Sequence, residues 1–220
     1  MFKILIIIYI LSLKNSHIYE AHTTMLESTL SDAYVYKMKP NDSLIVHKET
    51  YNIYSVIEGI LLIHKCFSNK EMFTISIIGA NGIIAPSFPS SSTHNYFYII
   101  EALSISYIIN NTEKNMLHNS RDIYNQSKIA YYSMEEILIH KTVKNRLIHV
   151  LLKLSEMCGV ECGNKIFLEV QLSYQTLSCI TGTSKSTIRK LVKSLRQKQL
   201  IEYHREHIVI NNLILLRRFN

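Results

Sequence analysis

The chain has 220 residues, of which 47% are hydrophobic and 19% are charged, so it can bury a core and is not an intrinsically disordered protein. Its formal net charge is +7. Residues 171–220 hold nine Lys or Arg against two Asp or Glu, whereas residues 1–170 hold fifteen of each, so the C-terminal segment carries the whole excess. This asymmetry favours an acidic partner, nucleic acid first and a membrane surface second, with a solvated basic surface as the alternative.

The chain begins with an apolar stretch at residues 2–13, "FKILIIIYILSL". It resembles the hydrophobic region of a signal peptide and is too short to span a bilayer securely. No small-residue cleavage pattern follows it. We interpret residues 1–24 as an N-terminal appendage, with a membrane-tethered or secreted β-roll interaction protein as the alternative.

Short apolar runs separated by turn sequences extend from about residue 33 to residue 109. They are "AYVYKMK", "SLIVHK", "IYSVIEGILLIHKCF" with a break at Gly59, "MFTISIIG" and "HNYFYIIEALSISYII". Runs of this length predict an antiparallel sandwich or β-roll over residues 25–118. The intervening "PSFPSSST" is predicted to be a polar loop, because proline is not tolerated in the centre of a strand.

Helical periodicity begins at residue 119. Apolar or small residues recur at positions 123, 127, 130, 134 and 137 or 138 without Gly or Pro, which predicts one long helix over residues 119–141. Its seam either pairs with a copy of itself or packs on the strands, and the sequence leaves both open. A further amphipathic helix is predicted over residues 144–159, ending at Gly159.

Two short helices and a hairpin are predicted after residue 171. Ser173 is a good N-cap for the first helix, and Gly182 permits the tight turn that ends it. Ser184 is able to cap the second helix, which has a buried stripe formed by Ile188, Leu191, Val192 and Leu195. "LIEYHREHIVIN" alternates around a polar turn, as a β-hairpin does. Residues 142–220 are therefore predicted to form a winged helix-turn-helix.

The outward face of the second predicted helix suits a groove of DNA. Lys185 and Ser186 lie at its start, where side chains reach base edges in the major groove, and the helix N-terminus attracts phosphate. Arg189 and Lys190 reach a base or a phosphate one turn later, and basic residues farther along the helix and in the wing are expected to clamp phosphates. The predicted DNA-binding residues are Ser173, Gln175, Thr183, Ser184, Lys185, Ser186, Thr187, Arg189, Lys190, Lys193, His204 and Arg205.

The sequence "LSYQTLSCITGTSKSTIRK" resembles the CRP/FNR family of transcription regulators, and within it the global nitrogen regulators of cyanobacteria and plastids. "SLIVHKETYNIYSVIEGILLIHK" resembles the β-roll of the same family, and the resemblance covers residues 32–210. It implies an α+β protein with an N-terminal antiparallel β-roll sensor (jelly-roll-like), a long dimerisation helix and a C-terminal winged helix-turn-helix. The family reads a two-fold symmetric operator as a homodimer and usually activates transcription through RNA polymerase.

By position, Lys185 stands where the family has an arginine that reads a guanine. Ser186 stands at a second base-reading position, and Lys190 at a third, commonly basic, contact. Lysine lacks the bidentate fork of arginine, so weaker discrimination is expected at that base.

The effector site of the family departs from its pattern in this chain. Cyclic-nucleotide-binding relatives carry a Gly-Glu pair and an Arg in the phosphate cassette, whereas "IIAPSFPSSSTHNYF" contains neither Glu nor Arg. Since a buried cyclic phosphate needs a cationic partner, cyclic AMP is not expected. The 2-oxoglutarate site of nitrogen regulators maps near Asn95, Lys128 (or Ser127) and Tyr132, with one cation instead of two. We expect no cofactor, and the alternative to an effector-sensing regulator is one that has lost sensing.

No catalytic or metal motif is evident. The ten His are scattered, and no phosphate loop, nucleophile elbow or paired acid motif occurs, so an enzyme is not expected. The four Cys lack paired spacing, which predicts free thiols instead of a zinc or iron–sulfur site. Composition rich in Ile, Asn, Lys and Tyr, together with the resemblance, favours the plastid stroma, with a bacterial cytoplasm as the alternative.

Overall fold

The computed structural model describes residues 34–47, 53–86, 96–111 and 131–219. The N-terminal appendage and residues 119–130 of the predicted long helix lie outside these ranges. In the part that is described, no helix is long and apolar enough to cross a membrane.

Antiparallel strands form two sheets in the N-terminal part, which confirms the predicted β-roll. One sheet has the order β1-β8-β3-β6 and the other β2-β7-β4-β5-β9. A buried cluster that includes Val56, Leu61, Ile100 and Ile108 fills the space between the sheets. The strands are β1 Tyr34–Met38, β2 Ser43–Val46, β3 Ile53–Glu58, β4 Leu61–Phe67, β5 Met72–Ile78, β6 Ile83–Ile84, β7 Tyr96–Ala102, β8 Ser106–Asn111 and β9 Tyr131–Ser133.

The predicted break at Gly59 is a tight turn between strands β3 and β4. Its φ is +96°, a left-handed conformation that glycine adopts without steric cost. A Cβ atom here would lie 2.6 Å from the Ile105 carbonyl oxygen, so the close approach of the two chain segments also requires glycine.

The prediction of one helix across residues 119–141 is wrong in its described part. Strand β9 pairs with β5, with Tyr131 opposite Ile78 and Ser133 opposite Ser76. Two adjacent tyrosines suit a strand at the edge of a sheet, and this tertiary pairing overrides the helical periodicity. Ser133 then caps a new short helix, α1 (Met134–Leu138), by accepting a hydrogen bond from the Glu135 N–H.

The C-terminal part is a winged helix-turn-helix, as predicted. Helix α2 ends before Gly159, and the predicted hairpin forms with its turn between His204 and His207. The strands make a sheet of order β10-β11-β13-β12. Sequence analysis did not predict β10, β11 or α5. The elements are α2 Val143–Cys158, β10 Gly159–Cys162, β11 Lys165–Leu168, α3 Tyr174–Thr181, α4 Lys185–Gln197, β12 Ile201–Tyr203, β13 Ile208–Ile210 and α5 Leu213–Arg217.

The helix-turn-helix is seated directly on the roll. One continuous buried cluster joins Leu62 and Ile77 of the roll to Leu151 of helix α2 and to the interior of helices α3 and α4. The Gln171 N–H donates a hydrogen bond of 2.7 Å to the Leu103 carbonyl oxygen across this boundary. Apolar burial and a backbone hydrogen bond therefore fix the orientation of the basic helix relative to the roll.

Candidate nucleic-acid interface

Helix α3 and its turn are set by local capping interactions. The Ser173 hydroxyl accepts a hydrogen bond of 2.9 Å from the Thr176 N–H, which satisfies a donor at the helix start. Leu177 and Ile180 are buried. Gly182 ends the helix with φ +63° and donates its N–H to the Ser178 carbonyl oxygen. This left-handed glycine turns the chain sharply into the next helix.

Arg146 of helix α2 stabilises the same turn with two hydrogen bonds. Its Nε donates to the His140 carbonyl oxygen at 2.9 Å, and its Nη1 donates to the Thr181 carbonyl oxygen at 3.1 Å. The guanidinium thus satisfies a carbonyl at the end of α3 and ties that helix to α2. Sequence analysis did not identify Arg146, because its partner at residue 181 is distant in the chain.

Ser184 caps the start of helix α4, as predicted. The Ser184 hydroxyl accepts from the Thr187 N–H at 3.2 Å and lies 2.9 Å from the hydroxyl oxygens of both Ser186 and Thr187. These hydroxyls stabilise the first turn. Ser184 and Ser186 also stay exposed, so they are available to a ligand at the helix N-terminus.

The two faces of α4 differ in chemistry. Ile188, Val192 and Leu195 are at most 1% exposed and pack into the core, and Leu191 is half-buried beside them, which confirms the predicted stripe. The helix contains no acidic residue. Its five basic residues are all exposed: Lys185, Arg189, Lys190, Lys193 and Arg196. A positive surface therefore extends along the outward face, where opposite charge would be attracted.

The wing adds further polar groups. The His204 N–H donates to the His207 carbonyl oxygen at 3.0 Å, and the two imidazole rings stack with centroids 4.5 Å apart. Arg205 is exposed at the tip. Glu202 accepts a hydrogen bond of 2.8 Å from the Lys165 ammonium, and this bond holds the pKa of the Glu202 carboxyl below its ordinary value. Lys165 is therefore partly neutralised, whereas Arg205 has no acidic partner among the described ion pairs.

The other predicted site residues have varied placements. Gln175 is exposed on α3, with its Nε2 atom 3.8 Å from the Cys179 sulfur. Thr183 lies in the turn and donates its N–H to the Ser178 carbonyl oxygen. For the effector, Asn95 and Lys128 fall outside the described residues. Tyr132 lies in strand β9. The effector assignment stays a prediction.

The cysteines are free thiols in the described part of the chain. Burial raises the pKa of the Cys158 thiol to about 11, so it stays protonated at neutral pH. Across residues 34–47, 53–86, 96–111 and 131–219 no group of three His, Cys, Asp or Glu is arranged to hold a metal ion.

The chain resembles known transcription regulators in sequence. Residues 145–219 match the Crp-like helix-turn-helix domain family. A protein of Porphyra purpurea named as an HTH-type transcriptional regulator, ycf28, is 23% identical over 94% of this chain and 90% of its own. The global nitrogen regulator of Nostoc sp. (strain PCC 7120) is 25% identical over 76% of this chain and 79% of its own.

Solved structures share the fold. A CRP-family transcriptional regulator from Thermus thermophilus superposes with a TM-score of 0.65 and 16% identity, covering 83% of this chain and 95% of its own. A variant of CooA from Carboxydothermus hydrogenoformans gives a TM-score of 0.58 at 16% identity, covering 96% and 94%. The comparisons confirm the resemblance and the fold class that the sequence indicated. The relatives are named as transcription regulators, not as enzymes, in agreement with the sequence analysis.

Proposed function

We propose that this chain, a DNA-binding transcription regulator of the CRP/FNR type, binds a two-fold symmetric operator as a homodimer and reads it with helix α4. The observation that carries the proposal is the arrangement of α4. A capped N-terminus, a buried stripe and five exposed basic residues are presented beyond a left-handed glycine turn. A helix held in this way enters the major groove, with its first residues at the base edges.

The proposed contacts divide into two kinds. Lys185 and Ser186 at the start of α4 face base edges. Lys190 and Lys193 along the helix, and Arg205 on the wing, contact phosphates, which position the protein without reading sequence. Ser173, Gln175, Thr183 and Thr187 are expected to assist through their polar groups at the helix starts and the turn, and His204 through its ring on the wing.

Exposed apolar residues at the C-terminal end of the predicted seam support a homodimer. Leu138 is 44% exposed and Ile139 is 80% exposed, at the end of helix α1. Neighbouring exposed apolar side chains are a feature of interaction surfaces, and a two-fold dimer would bury the same residues on both copies. Two DNA-binding domains related in this way would meet half-sites about one helical turn apart.

We further propose that the protein acts as an activator that contacts RNA polymerase in the plastid stroma, with a bacterial cytoplasm as the alternative compartment. Support comes from its similarity to the Nostoc global nitrogen regulator and the Porphyra purpurea protein. A regulator without an effector is the second candidate, because the segment that corresponds to the phosphate cassette has neither Glu nor Arg.

The test of DNA binding is a fluorescence-anisotropy titration of mixed-sequence duplex DNA at several salt concentrations. Because bound phosphates release counterions, we expect the affinity to fall steeply as salt rises. Lys193→Ala should make the slope of log affinity against log salt shallower by roughly 0.9 for each lost phosphate contact. Lys39→Ala removes the same charge from an exposed position after β1 and should leave the slope unchanged. Absence of binding at low salt would contradict the proposed function.

A further inference from the structure

A pair of stacked tyrosines lies beside the basic helix. The rings of Tyr174, the first residue of α3, and Tyr203, in the wing strand β12, are 5.2 Å apart between centroids and only 10° from parallel. The Tyr203 hydroxyl donates a hydrogen bond to the Leu172 carbonyl oxygen, just before α3. Burial, with a smaller contribution from Tyr174, raises the pKa of Tyr203 far above its ordinary value, so the phenol remains a neutral donor.

Arg189 of α4 contacts this pair of rings. Its guanidinium carbon lies 5.7 Å from the centroid of the Tyr174 ring, within the range of a cation–π contact. Within the described part of the chain, the other basic residues of α4 have no comparable ring contact and no ion pair. These residues are Lys185, Lys190, Lys193 and Arg196. Arg189 is therefore the basic residue of the helix whose position the surrounding fold restricts.

A guanidinium in a cation–π contact keeps its recognition chemistry. The contact with the ring uses the charge of the group and not its hydrogen-bonding capacity, so the N–H donors stay free to bind a planar partner. Holding the side chain before binding also reduces the entropy that would be lost on recognition. Arg189 is one helical turn beyond Lys185, and it remains exposed on the same outward arc of α4.

We propose that Arg189 is the residue that reads a guanine through a bidentate contact in each half-site, and that Tyr174, supported by Tyr203, positions it. A guanine offers O6 and N7 as paired acceptors in the major groove, which the arginine fork matches and a lysine does not. This inference rests on the proposed function. Under this proposal the strongest discrimination between bases comes from Arg189, one turn along the helix, and not from Lys185. That discrimination also depends on the wing, because Tyr203 of the wing supports Tyr174.

The experiment uses a duplex recovered by selection from a random pool, with each guanine of a half-site replaced in turn by 7-deazaguanine, which lacks the N7 acceptor. For the wild-type protein, we expect one position to show a clear loss of affinity on replacement. Arg189→Lys should lower the preference for guanine at that position by roughly 5- to 150-fold, the range for losing one bidentate pair. Since the charge is kept, the salt dependence of binding should not change.

Tyr174 is tested through its dependence on Arg189. Tyr174→Phe keeps the ring and should preserve the guanine preference. Tyr174→Leu fills the space without a π face and should lower the preference at the same position, but it should have no further effect in the Arg189→Lys background. Thermal unfolding of each variant would show that the folded state is kept.

Two results would overturn the positioning proposal while wild-type binding stays intact. One is an unchanged guanine preference in Arg189→Lys. The other is an equal loss from Tyr174→Leu with and without Arg189. Failure of the proposed function itself is a different result, namely that the wild-type protein enriches no duplex at all.

Discussion

Replacing Gly182 with alanine tests the turn that sets the direction of helix α4. The backbone there has φ +63°, a conformation that costs a residue with a Cβ atom about 1–2 kcal/mol. The added Cβ would lie 3.5 Å from Leu138 Cδ2 and 3.7 Å from Arg146 Nη1, which are ordinary van der Waals distances. No steric clash adds to the conformational cost, so we expect the free energy of unfolding to fall by about 1–2 kcal/mol.

The assay is thermal unfolding followed by circular dichroism. For a chain of this size each kcal/mol corresponds to about 2–4 °C, so the Tm of Gly182→Ala should fall by about 2–8 °C. Asparagine tolerates the left-handed region better, so Gly182→Asn should lose less. Gly163→Ala is a matched control because it has φ +61° with nothing within 4 Å of the added Cβ. It should lower Tm similarly yet leave DNA affinity unchanged.

Two results would refute this reasoning. If Gly182→Ala is as stable as the wild-type protein, the turn is not left-handed. If it loses more than about 4 kcal/mol, well beyond the cost of the conformation alone, the alanine meets a steric obstacle. A loss of DNA affinity in Gly163→Ala equal to that in Gly182→Ala would also show that the turn has no particular role in aiming α4.

The Ser184 cap and the partly buried thiol of Cys158 give further predictions. Ser184→Ala should destabilise the protein by about 1 kcal/mol in thermal unfolding. Ser184→Asp should keep the cap and the stability but weaken DNA binding, since it places a carboxylate at the end of α4 that is proposed to face the DNA. Equal DNA affinity in the two variants would contradict this. Iodoacetamide at pH 8 should label the exposed Cys162 well before Cys158, whose pKa is raised to about 11. Rapid labelling of Cys158 in the folded protein would contradict its raised pKa. Because that thiol has a pKa of about 9.0 when unfolded, its contribution to stability should be complete below pH 9 and lost as pH rises towards 11.

The features that sequence predicted best are those encoded within a few residues. Ser173 and Ser184 cap helices α3 and α4 where expected. Gly182 forms the left-handed turn between these helices, and Gly59 separates strands β3 and β4. Each of these depends on the backbone preferences of one residue and its nearest neighbours. The excess of positive charge in residues 171–220 was also evident from the sequence, because counting basic and acidic residues needs no tertiary information.

Several of the features that were missed depend on partners far away in the chain. Strand β9 forms because the edge of β5 is available, although the periodicity of its own segment is helical. Strand β11 pairs with β13, which follows helices α3 and α4 in the sequence. The contacts of Arg146 with the turn, and of Tyr203 with Tyr174, likewise join residues that no local pattern connects. Tertiary pairing of this kind overrides local propensity.

Selection of bound sequences from a random duplex pool tests the central claim most directly. A regulator that reads DNA with α4 should enrich two half-sites in inverted repeat, with centres about one helical turn, or roughly 10 base pairs, apart. Lys185→Ala should enrich the same symmetric arrangement with a relaxed preference at one base of each half-site. A bound pool with no shared sequence, or one unchanged by substitutions in α4, would contradict the account.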